Sequence, residues 1–262
     1  MNTRTKNFEL GGIYWTKSKT PEQFKIVEIK SARLENGGIL IEFLDGGYRG
    51  WYDARTLSRG NLVSPYSKTV FGIGYVGEGD FKPTSFDNSP TRVYNRWKAM
   101  LQRCYDSKNS NNSSYEFCEV SEEWKNFQTF AKWIVQQAGW DEDWHLDKDL
   151  IKAHNGLYSE DTCCLIPVEI NSALAAKSKH TTNGLPCGVF YHKKNDCYVV
   201  RIGKQYYGSF STVDAAKEVA KVSKEDMIKR LAEKYKDKLP IRTYVALMNY
   251  KYSPVFVEKK TY

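Results

Sequence analysis

An imidazole, two carboxylates and an amine fall within one short stretch, His145-Leu146-Asp147-Lys148-Asp149, and an amide follows at Asn171. A carboxylate at the end of a strand, met by an amide from a later helix, can hold a divalent cation such as Mg²⁺ or Mn²⁺. A neighbouring side chain can then deprotonate water for attack on phosphorus, while the cation stabilises charge on the phosphate and the leaving oxygen. Asp147 and Asn171 are the candidate metal ligands, and Lys148 and His145 the candidates for moving the proton. A lysine at its ordinary pKa of about 10.4 is protonated at pH 7 and is a poor base. A nearby metal and desolvation both disfavour the ammonium; without them, Lys148 would only neutralise phosphate charge. His145 shares a strand face with Asp147 if the strand is regular, and His154 lies in the loop beyond; either could be the base. The plain alternative is a structural hairpin in which Asp147-Lys148-Asp149 is a solvated run of alternating charge. A zinc site from Cys104, Cys118 and a thiol of Cys163 or Cys164 is a further option. None of the six cysteines forms a CxxC pair, however, and reduced core thiols are the simpler reading.

A second set of residues suits a polyanion. Tyr191, Lys193, Lys194, Arg201, Lys204, Gln205 and Tyr206 mix cations with rings over a short span. Strand alternation puts Tyr198, Val200 and Ile202 on one face and Val199 and Arg201 on the other, which favours Arg201 over Tyr198 as a reader of bases. A single lysine here is more simply a phosphate contact or a surface charge. The formal net charge of +8 also points to a polyanionic partner, although a generic solubilising surface would produce it too.

The elements that must position these groups follow from periodicity. Phe24 to Ile29 alternates, as does part of Ile39 to Phe43, and glycine pairs at Gly37-Gly38 and Gly46-Gly47 mark turns. This predicts a small barrel or curled sheet, with Tyr48, Arg49, Trp51 and Tyr52 as a binding rim or, more simply, as core and edge packing. The polar stretch with Pro83, Ser85, Asp87, Asn88, Ser89 and Pro90 reads as a linker. Tyr94, Trp97, Leu101 and Cys104 recur at helical spacing, and Ser107 to Ser114 reads as a flexible, exposed loop. Ser121 is a plausible N-cap for a helix lined by Trp124, Phe127, Phe130 and Ile134 and ended by Gly139. Next come a strand over 145–150, a loop over 152–161 with an Asn155-Gly156 turn, a second strand over 163–167, and a helix from Val168 to about Lys177. The C-terminal part reads as strands at 188–191, 198–202 and 204–210. Ser211 or Thr212 caps a long helix to about Tyr235, whose stripe of Ala215, Ala216, Val219, Ala220, Met227, Ile228 and Leu231 should cover the sheet. A last helix is expected near Tyr244 to Tyr250.

Two resemblances rest on these residues. Leu146-Asp147-Lys148-Asp149, Tyr158-Ser159-Glu160-Asp161-Thr162-Cys163 and Ile166-Pro167-Val168-Glu169-Ile170-Asn171, with Trp97 to Tyr105 and Trp124, Phe127 and Trp133 upstream, resemble HNH endonucleases. The likeness is to phage-encoded members of homing-endonuclease type and covers about residues 92–178. It implies a ββα-metal fold and metal-dependent hydrolysis of DNA by an endonuclease or nickase. The family places a general-base histidine directly after its metal-binding aspartate, and that position is Lys148 here. This departure leaves open a non-catalytic DNA-binding regulator with a degenerate HNH core. Residues 184–236 resemble the AP2 DNA-binding domain through Gly188-Val189, Tyr198-Val199-Val200-Arg201-Ile202, Gly208-Ser209-Phe210-Ser211-Thr212 and Ala215-Ala216. That likeness implies a three-stranded sheet backed by one helix, with the sheet in the major groove of double-stranded DNA.

The expected fold is therefore α+β and multidomain. A β-barrel-like domain spans 1–82, an HNH-like nuclease domain 91–180, an AP2-like domain 184–238, and a C-terminal helix and tail 239–262. With 262 residues, 41% of them hydrophobic, such domains can each bury a core. The N-terminus lacks an apolar signal core, and no apolar run approaches the roughly 18–20 residues of a membrane span. The expected setting is the cytoplasm, that of the host for a phage-encoded chain, with no membrane partner.

Overall fold

The computed structural model describes residues 8–30, 38–106, 118–153, 155–175 and 185–252. It is a mixed α/β protein with several small sheets, and it forms two compact units, residues 1–132 and 133–262. His154, the whole 107–114 loop, the residues just before Leu185 and the tail beyond residue 252 lie outside the described residues.

In the first unit, β1 (Ile13–Trp15), β2 (Gln23–Lys30), β3 (Gly38–Phe43) and β4 (Arg49–Tyr52) form an antiparallel meander in that order. Its two edges, β1 and β4, do not pair. The expected barrel is therefore an open sheet closed on one face only. Phe24, Ile26, Ile39, Ile41 and Phe43 point to that face and pack with Leu57 and Leu62. Leu57 comes from α1 (Ala54–Arg59), where Asp53 Oδ1 accepts from the Thr56 amide at 2.7 Å and so satisfies one of the free donors of the first turn. The four residues read as a possible rim divide by alternation. Tyr48 and Tyr52 pack on the core, while Arg49 pairs with Glu42 at 2.7 Å and Trp51 lies outside under the Lys30 ammonium.

The stretch read as a linker is ordered. Residues 83–90 fold into a tight turn at the foot of α2 (Arg92–Tyr105), for which Thr91 is the N-cap. Trp97 of α2 donates its indole N–H to the Trp124 carbonyl at 2.7 Å and is fully buried with Phe127. A short strand β5 (Glu119–Val120) precedes Ser121, which caps α3 (Glu122–Lys125) as expected. The single helix predicted from that cap is broken, however. Asn126 leaves helical geometry because Tyr75 inserts between Lys125 and Phe127, donating to the Lys125 carbonyl and accepting from the Phe127 amide. The chain resumes as α4 (Phe127–Ile134). α4 stops short of Gly139, a left-handed residue packed so tightly on Trp144 that a Cβ would lie 2.1 Å from the indole.

In the second unit, β6 (His145–Asp147) pairs antiparallel with β8 (Cys164–Ile166), and the short β7 (Leu157–Tyr158) lies in the chain between them. α5 (Val168–Ala175) follows β8 almost directly and packs on β6. Then come β9 (Val189–His192), β10 (Cys197–Ile202) and β11 (Gln205–Phe210), an antiparallel sheet with β10 in the centre. The 22-residue α6 (Val213–Lys234), capped by Thr212, lies across it and also packs on α5 and on α7 (Ile241–Met248). Val189, Val200, Ile202, Ala216 and Ala220 form the core between sheet and helix. The small alanines let α6 lie close to the sheet. Gly188 permits the same closeness at the sheet's start: with φ +87°, a Cβ there would meet Ile202 Cδ1 at 2.4 Å. No described helix is long and apolar enough to cross a membrane.

Candidate functional site

The β6–β8 hairpin backed by α5 is formed as the sequence pattern predicts, but β6 ends at Asp147 rather than Leu150. The cause is Asp147 itself. Its Oδ1 accepts the amides of Asp149 at 3.0 Å and Leu150 at 2.7 Å, which turns the chain out of the strand. Burial pushes the Asp147 carboxyl above its usual range, against the lowering effect of those two amides.

Lys148 is not placed to serve as a base. Its side chain is 8% exposed, its Nζ lies 2.8 Å from Asp149 Oδ1 and 2.6 Å from the Asn155 carbonyl oxygen, and the ammonium stands 5.9 Å from the centre of the Tyr158 ring. Asn155 in turn donates to the Lys148 carbonyl at 3.2 Å. In this arrangement Lys148 has a structural role. The buried ammonium ties the end of β6 to the loop that leads to β7, and alternation hid this because it treats a lysine as a surface residue. Its partners Asp149 and Asn155 are not among the candidate site residues of the sequence, where they stand only as part of the Asp147-Lys148-Asp149 charge run and of the Asn155-Gly156 turn.

His145 and Asn171 do come together. The Asn171 amide nitrogen is 2.9 Å from His145 Nδ1, because β6 carries His145 on the side against which α5 packs. His145 is exposed and Asn171 partly so. The fit to a metal centre is incomplete. Among the described residues, no three His, Cys, Asp or Glu side chains converge where one ion could sit. The Asn171 amide meets His145, and one oxygen of Asp147 is committed to backbone amides. The zinc alternative fares no better, because among the described residues no three such ligands converge; all six cysteines are free thiols, and burial pushes the Cys163 and Cys164 thiols up to about 12. Those two thiols floor a cavity of about 200 Å³ behind the hairpin, with Trp133, Arg242 and Thr243 on its walls.

The sheet presents a different kind of surface. Register places Val199 opposite Phe190 and Ser209, and Arg201 opposite Tyr206. These side chains share the face turned away from α6. A bulge between Val200 and Arg201 brings Tyr206 into that row. Phe190, Arg201, Tyr206 and Ser209 are exposed, and the Tyr206 hydroxyl lies 2.9 Å from Ser209 Oγ. Lys193 and Lys194 stand exposed in the turn before β10, and Lys204 in the turn after it. Tyr191 is on the other side. It pairs with Tyr198 across the strands, the two rings 5.3 Å apart, and its hydroxyl donates to Asp196 at 2.6 Å. Choosing it by residue type overlooked Phe190, which alternation from the buried Val189 would have found.

No protein-family model, no curated protein and no solved structure matches the chain.

Proposed function

We infer that the protein binds double-stranded DNA through the face of the β9–β10–β11 sheet opposite α6. The observation that carries this reading is Arg201 on that face with exposed lysines in the turns at both ends of its strand. β10 has six residues, which at about 3.4 Å per residue is roughly 20 Å. Lys193 and Lys194 at one end and Lys204 at the other therefore straddle a gap wider than the roughly 12 Å major groove. They suit phosphates on either side, while Arg201 between them suits a base edge. Phe190 and Tyr206 supply apolar contact beside it. The test is fluorescence anisotropy with a labelled 30-base-pair duplex. Arg201→Ala and the pair Lys193→Ala/Lys194→Ala should each weaken binding; unchanged affinity in both would remove the sheet from the interface.

A second reading, metal-dependent cleavage of the bound DNA, is favoured by one observation: the hairpin and helix set Asn171 against His145 beside Asp147. Supercoiled plasmid incubated with Mg²⁺ or Mn²⁺, with and without EDTA, decides it. Nicking that needs the metal and disappears in Asp147→Ala and Asn171→Ala, with duplex binding kept, supports an endonuclease. Tight binding without nicking leaves a non-catalytic DNA-binding protein.

A further inference from the structure

The cavity of about 200 Å³ behind the hairpin takes all its walls from the second unit. Its apolar and charged groups are segregated. Trp133, Cys163, Cys164, Leu165 and Thr243 are each at most 7% exposed and form the floor. That floor carries no charge. Burial pushes both thiols up to about 12, so they stay protonated at pH 7, and the Thr243 hydroxyl is bonded to Cys164. Glu160 and Arg242 line the same cavity, are exposed, and so stand at its mouth. No hydrogen bond or ion pair ties either side chain to another described residue. Other charges in this unit do pair, Glu169 with Lys234 and Glu142 with Lys238. One cation and one anion are thus left open at the entrance of an uncharged pocket.

This combination selects among ligands by charge and size. A plain carboxylate would suit Arg242 but face Glu160 with like charge, and a plain amine would meet the opposite conflict. A phosphate ester adds negative charge against Glu160, and a peptide carries its two terminal charges far apart. A free α-amino acid holds both charges on one carbon. Its carboxylate suits the fork of N–H donors on Arg242, its ammonium suits Glu160, and its side chain points to the floor. About 150 Å³ of apolar cavity suffices for a benzene ring, so the space admits a side chain as large as that of leucine or phenylalanine. We propose that this cavity is a binding site for a free α-amino acid with an apolar side chain, held at the mouth by Arg242 and Glu160. It is independent of the duplex-binding reading above.

The experiment uses the full chain, with binding read by isothermal titration calorimetry and by the rise in melting temperature that a ligand of the folded state produces. The probes are L-leucine and L-phenylalanine, each beside its amide, its Nα-acetyl derivative and the matching acid without an amino group. Wild type should bind at least one free amino acid, and each blocked form of it roughly tenfold more weakly or worse. Arg242→Gln should lose the preference for the free acid over the amide, and Glu160→Gln the preference for the free amine over the acetyl derivative. Both side chains are exposed, so both variants should melt as wild type does without ligand. If wild type binds neither amino acid, if it binds a blocked form as tightly as the parent, or if either variant keeps the full preference, the site is overturned.

Discussion

Under the proposed duplex binding, Arg201 is the side chain that reads a base edge. It is exposed, shares a face with Phe190 and Tyr206, and has lysines beyond both ends of its strand. A guanidinium on a base edge contributes about 1–3 kcal/mol of discrimination, so Arg201→Ala should weaken the preferred duplex roughly tenfold or more and flatten the ranking of sequences in a binding-selection experiment. Asp147 allows a prediction that does not depend on DNA. Its folded pKa is raised by burial, so the native state holds the proton more tightly than the unfolded chain. Stability from this group is then greatest below the unfolded pKa, falls as pH rises through the folded pKa, and stays reduced at neutral pH. Asp147→Asn keeps an oxygen for the amides of Asp149 and Leu150 and removes the buried charge. It should raise the melting temperature at pH 7, with the gain shrinking as pH falls below the folded pKa; a lower melting temperature at pH 7 would refute this. Lys148→Met should do the reverse, leaving the Asn155 carbonyl without its donor. The expected loss is about 1–3 kcal/mol in denaturant titration, toward the low end because Asp149 is 43% exposed and its charge is screened by solvent.

At the scale of elements, the close approach at Gly188 is a point of failure. An alanine there must adopt φ near +87° and place its Cβ against Ile202 and the Arg201 carbonyl. The left-handed conformation alone costs roughly 1–2 kcal/mol. Gly188→Ala should therefore destabilise the second unit by about 2 kcal/mol or more and loosen β9, read as faster amide exchange at Phe190. Elements with a clear period were legible in the sequence: β10 with Val200 and Ile202 inward, the hairpin followed by α5, and the start of α6 at Thr212. Three features were not, each because a contact outside the local period overrides the pattern. Tyr75 breaks the predicted helix at Asn126, Thr91 and Gln128 anchor an apparent linker, and Asn155 draws Lys148 inside. The strand pattern of the first 82 residues suited a barrel or an open sheet equally, since closure depends on whether β1 meets β4. Of the candidate site residues, Arg201 lies on the face turned away from α6, as alternation has it, while Tyr191 lies on the opposite face and Lys148 is buried.

For the molecule as a whole, the net charge of +8 should make duplex binding sensitive to salt. If Lys193, Lys194, Arg201 and Lys204 each displace one counterion, the slope of log K against log salt is about −3.6. Raising salt fourfold, from about 50 to 200 mM, then weakens binding roughly 150-fold; a titration showing a flat dependence would exclude the sheet as an electrostatic dock. The hairpin and this sheet belong to one compact unit, and the contacts between α5 and α6 say how firmly. Glu169 in the first turn of α5 accepts from Lys234 and Tyr235 at the far end of α6, and Lys224, itself buried, donates to the Ala173 carbonyl in the last turn of α5. α5 is held at both of its ends, to the middle and to the far end of α6, so a load on the sheet passes through α6 and α5 to β6 and β8. Scanning calorimetry should then record a single endotherm for both parts, and only the double replacement Lys224→Met/Glu169→Gln should split it.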